Sequence, residues 1–154
     1  MADEQTTSFD ATARPALVCV PAGDRRTAVM AALTELGYVP DVPADDADAT
    51  DRLRKTAYAV AVIDETYDGA TPLDNPVLKA LAGMSMTVRR YMFVALLGAD
   101  VRTLDNATAF SRSVNAVVNV HDLVQLAPVL RRAIADNDAF YRVFRDVLQA
   151  AGKR

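Results

Sequence analysis

The sequence predicts an α/β protein with a doubly wound, five-stranded parallel sheet. From Ala16 onward, short apolar runs alternate with amphipathic segments, which is typical of parallel strands joined by helices. The third to fifth runs are continuously apolar, as expected of strands covered on both faces. The length of 154 residues suits one domain with a substantial core, and 51% hydrophobic with 24% charged residues is ordinary globular composition.

Five strands are predicted from these runs. The third run ends in Asp64, so it delivers a carboxylate to the edge where parallel sheets place their chemistry. A lone acid at a strand end is also commonly a turn or helix-cap residue, and that structural role stays open. The predicted strands are residues 16–20, 38–42, 58–64, 92–97 and 116–120.

Four helices are predicted between the strands from apolar residues spaced three and four apart. Gly37 supplies a left-handed end for the first helix, and the second is expected to present Leu53 and Ala57 to the core. Pro76 suits the first turn of the third helix. The predicted ranges are 25–36, a start within 47–51, 75–82 and 104–113.

The C-terminal segment predicts a longer helix, or two helices with a joint at 136–138. A continuous helix over 128–151 would be ~36 Å long, more than five short strands can cover. Its distal part is therefore expected to fold back on the body, to form a homodimer or to contact another protein, because bare apolar patches of this size are rare in monomers. The predicted interaction surface consists of Phe140, Tyr141, Phe144, Val147 and Leu148.

The predicted domain organisation has three parts: a mobile tail or linker remnant over 1–14, a body over 15–135 and a C-terminal helical extension over 136–154 that continues the last helix. The N-terminus lacks a signal segment, and no apolar run approaches the ~20 residues of a membrane span. We therefore expect a cytoplasmic protein with no membrane contact. A net charge of −3 and a pI near 5.1 argue against nucleic-acid binding.

Residue types that carry catalytic or metal chemistry are sparse. Cys19 lies inside an apolar run and is expected to be a small buried hydrophobe. His121 is expected in a loop after the fifth strand, with pH sensing as the alternative. One histidine and one cysteine cannot form a structural zinc cluster, and residues 21–24 lack a phosphate-binding glycine pattern. We expect no enzyme activity, metal or cofactor.

The order of the βα units, the first helix ending in Leu36-Gly37-Tyr38 and the third strand ending in Asp64 resemble the receiver domain of bacterial two-component response regulators. The resemblance covers about residues 16–135 and implies a flavodoxin-like fold with strand order 2-1-3-4-5. In that family, the acid ending the third strand accepts a phosphoryl group from a histidine kinase. Asp64 matches that position.

Positions that assist phosphorylation in that family hold other residue types here. The resemblance places Val20 and Pro21 where the family has a magnesium-binding pair of acids, and neither side chain offers an oxygen ligand. Leu97 stands in place of the hydroxyl residue of the fourth strand, and Asn119 in place of the lysine of the fifth. Ala116 and Val120 likewise stand where the family has a switch aromatic and a proline. The pattern indicates a degenerate receiver, or pseudo-receiver.

Three functional hypotheses follow from the sequence. The first is a non-catalytic signalling or scaffold module that acts through its C-terminal helix on another protein or on a second copy of itself. The alternative is an atypical response regulator phosphorylated on Asp64 at an unusual metal-free site. Asp24 lies a few residues after Val20 and Pro21 and is expected to cap a helix, with recruitment as a cation ligand as the alternative. The third is small-molecule binding at a pocket made apolar by Val20, Pro21 and Leu97. Residues 85–90 are expected to form a solvated loop, with docking of an acidic partner at its two arginines as the alternative.

Overall fold

The computed structural model describes residues 14–71 and 74–152. Its five parallel strands form one sheet in the order β2-β1-β3-β4-β5, which confirms the predicted fold class and strand order. Residues 1–13 of the predicted tail lie outside the described residues, and Arg14 is the first residue of β1. The strands are β1 Arg14–Cys19, β2 Tyr38–Asp41, β3 Val60–Asp64, β4 Phe93–Gly98 and β5 Ala116–Asn119.

Six α helices connect and cover these strands within the described part of the chain. Gly37 has a φ of 92° and ends the first helix in the left-handed conformation, as predicted. Short 3₁₀ segments lie at Tyr67–Gly69 and Val120–Gln125. The helices are α1 Asp24–Glu35, α2 Asp46–Lys55, α3 Pro76–Ala82, α4 Met86–Arg89, α5 Asn106–Ser111 and α6 Leu126–Ala150.

Two local predictions were wrong. Ala57 is exposed and lies beyond the end of α2, because the backbone is already extended at Thr56 as the chain turns toward β3. The predicted loop at 85–90 contains the one-turn helix α4, and Arg89 is held there by hydrogen bonds from its guanidinium to the carbonyl oxygens of Leu81 and Ser113. Arg89 therefore ties the entry to β4 into the fold and is not a solvated loop residue.

The hydrophobic core has two layers, one on each face of the sheet, because alternate strand residues point to opposite sides. Val18, Val62 and Leu97 pack with residues of α1 and α6 on one face. Ile63 and Leu96 pack with residues of α2, α3 and α5 on the other. The buried charged residues of the described chain, Asp64 and Glu65, lie at the end of β3 and directly after it.

Helix α6 is continuous through 136–138, which decides between the two predicted alternatives in favour of one long helix. Its buried residues, Leu126, Ala127 and Leu130, all lie in its first two turns. The distal half passes the edge where the strands begin, next to Arg14 and Tyr38. In the described ranges, none of the helices combines the length and the hydropathy that a bilayer span requires.

Candidate functional site

Asp64 lies at the carboxyl end of β3 and is 1% exposed. Its Oδ2 accepts a hydrogen bond from Nη1 of Arg25 at 3.1 Å, and the two groups form an ion pair. Its Oδ1 accepts from the backbone nitrogen of Thr66 at 2.9 Å and from the Thr66 hydroxyl at 2.7 Å. Both carboxylate oxygens are therefore engaged, one by a cation and the other by the turn that Asp64 initiates.

Arg25 was not predicted as a site residue. It belongs to the first turn of α1, and its side chain is 45% exposed while its guanidinium reaches the buried carboxylate. Helical periodicity marks this position only as one of several polar residues near the sheet edge, and gives no sign that it contacts a residue 39 positions away. The ion pair places a positive charge next to the Asp64 carboxylate.

The two residues after β1 form one wall of this site. Their side chains are apolar, and the backbone carbonyl of the first accepts a hydrogen bond. Val20 is fully buried, and its carbonyl oxygen accepts a hydrogen bond from Nε of Arg26 at 2.9 Å. Pro21 is half-buried, and Asp24 is exposed in the first turn of α1. Within 14–71 and 74–152, no group of three or more histidine, cysteine, aspartate or glutamate residues could hold a metal ion.

Leu97 lies beside Asp64, because the two residues are register partners in the parallel pairing of β3 with β4. It is fully buried and joins the apolar layer under α1 and α6. Its side chain brings no hydroxyl to the carboxylate. This wall of the site is therefore apolar.

Asn119 holds loops together at the end of β5. Its Nδ2 donates to the carbonyl oxygens of Ala99 and Val101 at 3.2 and 2.8 Å, and its Oδ1 accepts from the backbone nitrogen of His121 at 2.8 Å. These bonds use both donors of its side-chain amide. His121 itself is exposed in the 3₁₀ segment, in agreement with its predicted loop position.

Glu65 is a second buried carboxylate that the sequence did not single out as part of a site. Its Oε1 pairs at 3.3 Å with Nη1 of Arg112, the residue that directly follows α5. A Cβ atom on Gly98 would lie only 2.5 Å from Glu65 Oε2, so glycine makes room for this carboxylate. The sequence signal for this contact was the acid pair Asp64-Glu65 together with Gly98, which directly follows the next predicted strand.

Cys19 is fully buried, as predicted, in the layer under α2 and α3. Burial raises the pKa of its thiol to about 12, and the nearby negative charge of Asp41 adds to the effect. The protonated thiol is a poor nucleophile at neutral pH.

The predicted interaction surface lies on the distal half of α6. Phe140 and Val147 are 65% and 60% exposed, whereas Tyr141 and Leu148 are half-buried. The rings of Phe140, Tyr141 and Phe144 stack edge to face, with centroids 5.2 and 6.2 Å apart. Tyr141 lines a cavity at the edge where the strands begin, and Phe140 lines a second cavity between α6 and residues of β4, α5 and β5.

No protein-family model and no curated protein sequence matches this chain. Solved structures do match it. The receiver domain of sensor histidine kinase PA1611 from Pseudomonas aeruginosa PAO1, which holds a magnesium ion in its active-site cleft, superposes with a TM-score of 0.61 at 18% identity, covering 80% of this chain and 99% of that domain. The chemotaxis response regulator CheY4 of Vibrio cholerae gives a TM-score of 0.57 at 16% identity, with 79% and 99% covered.

NtrX from Brucella abortus, solved in complex with ADP, gives a TM-score of 0.61 at 18% identity over 93% of this chain. The chain spans only 31% of the length of NtrX. These similarities establish that the chain has the fold of receiver domains. At identities of 16–18% the similarities support a conclusion about the fold and none about the activity.

Proposed function

We propose that this chain is a non-catalytic pseudo-receiver, a signalling or scaffold module that acts through protein contacts and independently of phosphorylation. The receiver fold supports a role in signalling. The observation that carries the rest of the proposal is the Arg25–Asp64 ion pair at 3.1 Å.

Phosphoryl transfer to a carboxylate brings negative charges together and needs a cation to neutralise them. Here a guanidinium from the protein itself occupies Oδ2, and two hydrogen bonds from Thr66 occupy Oδ1. Phosphorylation would break contacts of a buried charge, with Leu97 offering no hydroxyl in exchange. The ion pair therefore opposes phosphorylation of Asp64.

The test is incubation with acetyl phosphate and Mg²⁺, followed by mass spectrometry and by NMR spectra of the backbone amides. We expect no mass increase of ~80 Da, the size of one phosphoryl group, and no Mg²⁺-dependent shifts at residues 64–66 or 97. A mass increase that is lost in Asp64→Asn would overturn the proposal and support the atypical response regulator.

We further propose that the contact surface is the outward face of distal α6 and that a second copy of the chain covers it. Phe140, Val143 and Val147 are each at least 60% exposed and lie three or four residues apart, so they form one apolar stripe. Antiparallel or parallel pairing of two such stripes would remove the stripe from water.

Sedimentation of the intact 16.6 kDa chain tests this contact. We expect a dimer that a Phe140→Lys, Val147→Lys double variant and a truncation after Asp138 both convert to monomer. Phe110→Lys is the matched control, because Phe110 is 88% exposed on α5. A folded monomer at high micromolar concentration would refute self-association and leave another protein as the partner.

A further inference from the structure

A cavity of about 320 Å³ lies at the edge where the strands begin, far from Asp64 along the sheet. Its walls are the starts of β1, β2 and β4 and the distal half of α6. We call it the arginine cavity, because its lining includes Arg14, Arg90, Arg142 and Arg145 together with Tyr91 and Tyr141. None of these residues takes part in the site around Asp64.

The charge in the arginine cavity is unbalanced. Its lining contains four arginines and one acidic residue, Asp138, in a chain whose net charge is −3. Within the described residues, none of the four arginines forms an ion pair. Arg142 forms no ion pair with Asp138 or Asp146, which lie one turn before and after it on α6.

Other arginines of α6 behave differently. Arg131 pairs with Glu35 at 3.6 Å, and Arg132 pairs with Asp136 at 3.8 Å. Like charges held together without partners repel each other, and an anion between them relieves that repulsion. Among the residues that the structure describes, the arginines of α6 without an ion pair are therefore the two that line the cavity.

Two of the arginines are held in place by aromatic rings. The Arg90 guanidinium lies 5.6 Å from the centroid of Phe144, and its Nε donates to the carbonyl oxygen of Met86 at 3.3 Å. The Arg14 guanidinium lies 5.7 Å from the centroid of Tyr38. A guanidinium that stacks on a ring keeps its in-plane N–H groups directed outward, which suits the oxygens of a phosphate.

From this geometry we infer that the arginine cavity binds a phosphorylated small molecule that carries a planar ring, of the nucleoside diphosphate class. Several arginines match two adjacent phosphates, and the rings of Tyr91 and Tyr141 offer flat apolar surfaces for the base. A volume of about 320 Å³ falls at the lower end of the ~300–1,000 Å³ that small-molecule sites occupy. This inference goes beyond the proposed signalling role and does not depend on it.

Calorimetric titration of the full chain with guanosine diphosphate tests the inference, with inorganic pyrophosphate and guanosine as partial ligands. We expect saturable binding of the diphosphate, weaker binding of pyrophosphate and none of guanosine at the same concentration. The Arg142→Gln, Arg145→Gln variant should bind at least ~10-fold more weakly, because it loses charge-assisted hydrogen bonds. Both residues are exposed, so the fold should be unaffected.

The matched control is Arg54→Gln, Lys55→Gln, which removes the same net charge from exposed positions on α2. It should bind as the unmodified chain does. Tyr91→Ser should weaken binding of the diphosphate and leave pyrophosphate unchanged.

Three results would overturn the inference. They are absence of saturable binding at millimolar diphosphate, equal loss of affinity in the α2 control, and tighter binding of a glutamate-rich peptide than of the diphosphate. The last result would assign the cavity to an acidic protein segment. None of these outcomes bears on phosphorylation of Asp64, so this inference and the proposed function fail separately.

Discussion

Asp64 and Glu65 are adjacent buried carboxylates that are each paired with an arginine from a different side of the sheet. Arg25 comes from α1 and Arg112 from the end of α5. A buried charge is strongly destabilising without a partner, so the two arginines stabilise the carboxylates at the end of β3 and directly after it. Asp68, four residues after Asp64, accepts a hydrogen bond from the backbone nitrogen of Asp46 at 3.1 Å.

Removal of the Arg25 guanidinium should therefore destabilise the fold. We expect Arg25→Ala to lower the free energy of unfolding by about 1–2 kcal/mol, less than for a fully buried pair because Arg25 is partly exposed. Urea denaturation measures this change. Arg54→Ala, which breaks an exposed pair with Asp51, should cost less than about 0.5 kcal/mol. Equal effects in the two variants would contradict a special role of the Arg25–Asp64 pair.

Gly98 and Gly83 form a matched pair of glycines for substitution. A Cβ atom at Gly98 would meet Glu65 Oε2 at 2.5 Å and Val101 Cγ1 at 3.3 Å, whereas at Gly83 the nearest atom is a backbone oxygen at 3.6 Å. We expect Gly98→Ala to cost about 1–3 kcal/mol through overpacking, and Gly83→Ala to be neutral or stabilising by up to about 1 kcal/mol. Thermal and urea unfolding of both variants would show the difference, and a tolerated Gly98→Ala would mean that the Glu65 side chain moves freely.

Among the secondary-structure elements, α3 has the most strongly anchored start. Asn75 is buried, and its Oδ1 accepts from the backbone nitrogens of Val77 and Leu78. Its Nδ2 donates to the carbonyl oxygens of Asp64 and Glu65 at 3.3 and 3.2 Å. One side chain therefore caps the helix and satisfies the backbone at the end of β3.

This double role predicts an unusually large cost for loss of a cap. Asn75→Ala should destabilise the fold by about 2–4 kcal/mol, because it removes an N-cap and leaves two buried carbonyl groups unpaired. Asp105→Ala removes the cap of α5, where the side chain serves only its own helix, and should cost about 1 kcal/mol. Chemical denaturation of the two variants measures both losses in the free energy of unfolding. Similar losses would mean that the hydrogen bonds from Asn75 to the end of β3 contribute little.

At the level of the whole molecule, ionisable groups collect in one of the two apolar layers. Cys19, Tyr58 and Tyr67 all lie in the layer under α2 and α3. Burial raises the pKa of each to about 12, and a hydrogen bond to Asp41 contributes for Tyr58. Among the described residues, the buried Tyr67 hydroxyl has no hydrogen-bond partner.

These pKa shifts predict loss of stability in alkali. The unfolded chain releases these protons near pH 9.0 and 10.0, while the folded chain keeps them to about pH 12. Between those limits the folded state binds more protons, so the free energy of unfolding falls as the pH rises. It should be flat from pH 7 to 8.5 and decline above pH 9, by up to about 1.4 kcal/mol per pH unit from Cys19 alone.

Urea denaturation in reducing buffer at pH 7.5, 9.5 and 10.5 measures this slope. Cys19→Ala should make the decline above pH 9 shallower. Tyr67→Phe should do the same above pH 10 with no loss of stability at pH 7.5, because it removes an unpaired hydroxyl. A slope unchanged in both variants would assign the alkaline loss to other groups.

Sequence alone determined the layered body of this protein. Apolar runs separated by helical periodicity fix which residues are buried, and the burial of residues 60–64 and 93–98 follows from that pattern. It also identified Asp64 as the acid at the sheet edge, because strand position and residue type are both local properties, whereas the resemblance to receiver domains placed Leu97 beside it. The resemblance to receiver domains supplied the strand order, which periodicity does not encode.

Only the tertiary structure decided what surrounds those positions. Arg25 on Asp64, Arg112 on Glu65 and the arginine cavity each join side chains that are far apart in sequence. Long charged side chains reach several ångströms from the backbone, so their partners depend on the packing of helices against the sheet and not on local pattern. For that reason the sequence predicted where an acid would lie, and the fold alone showed that a cation of the same chain already neutralises it.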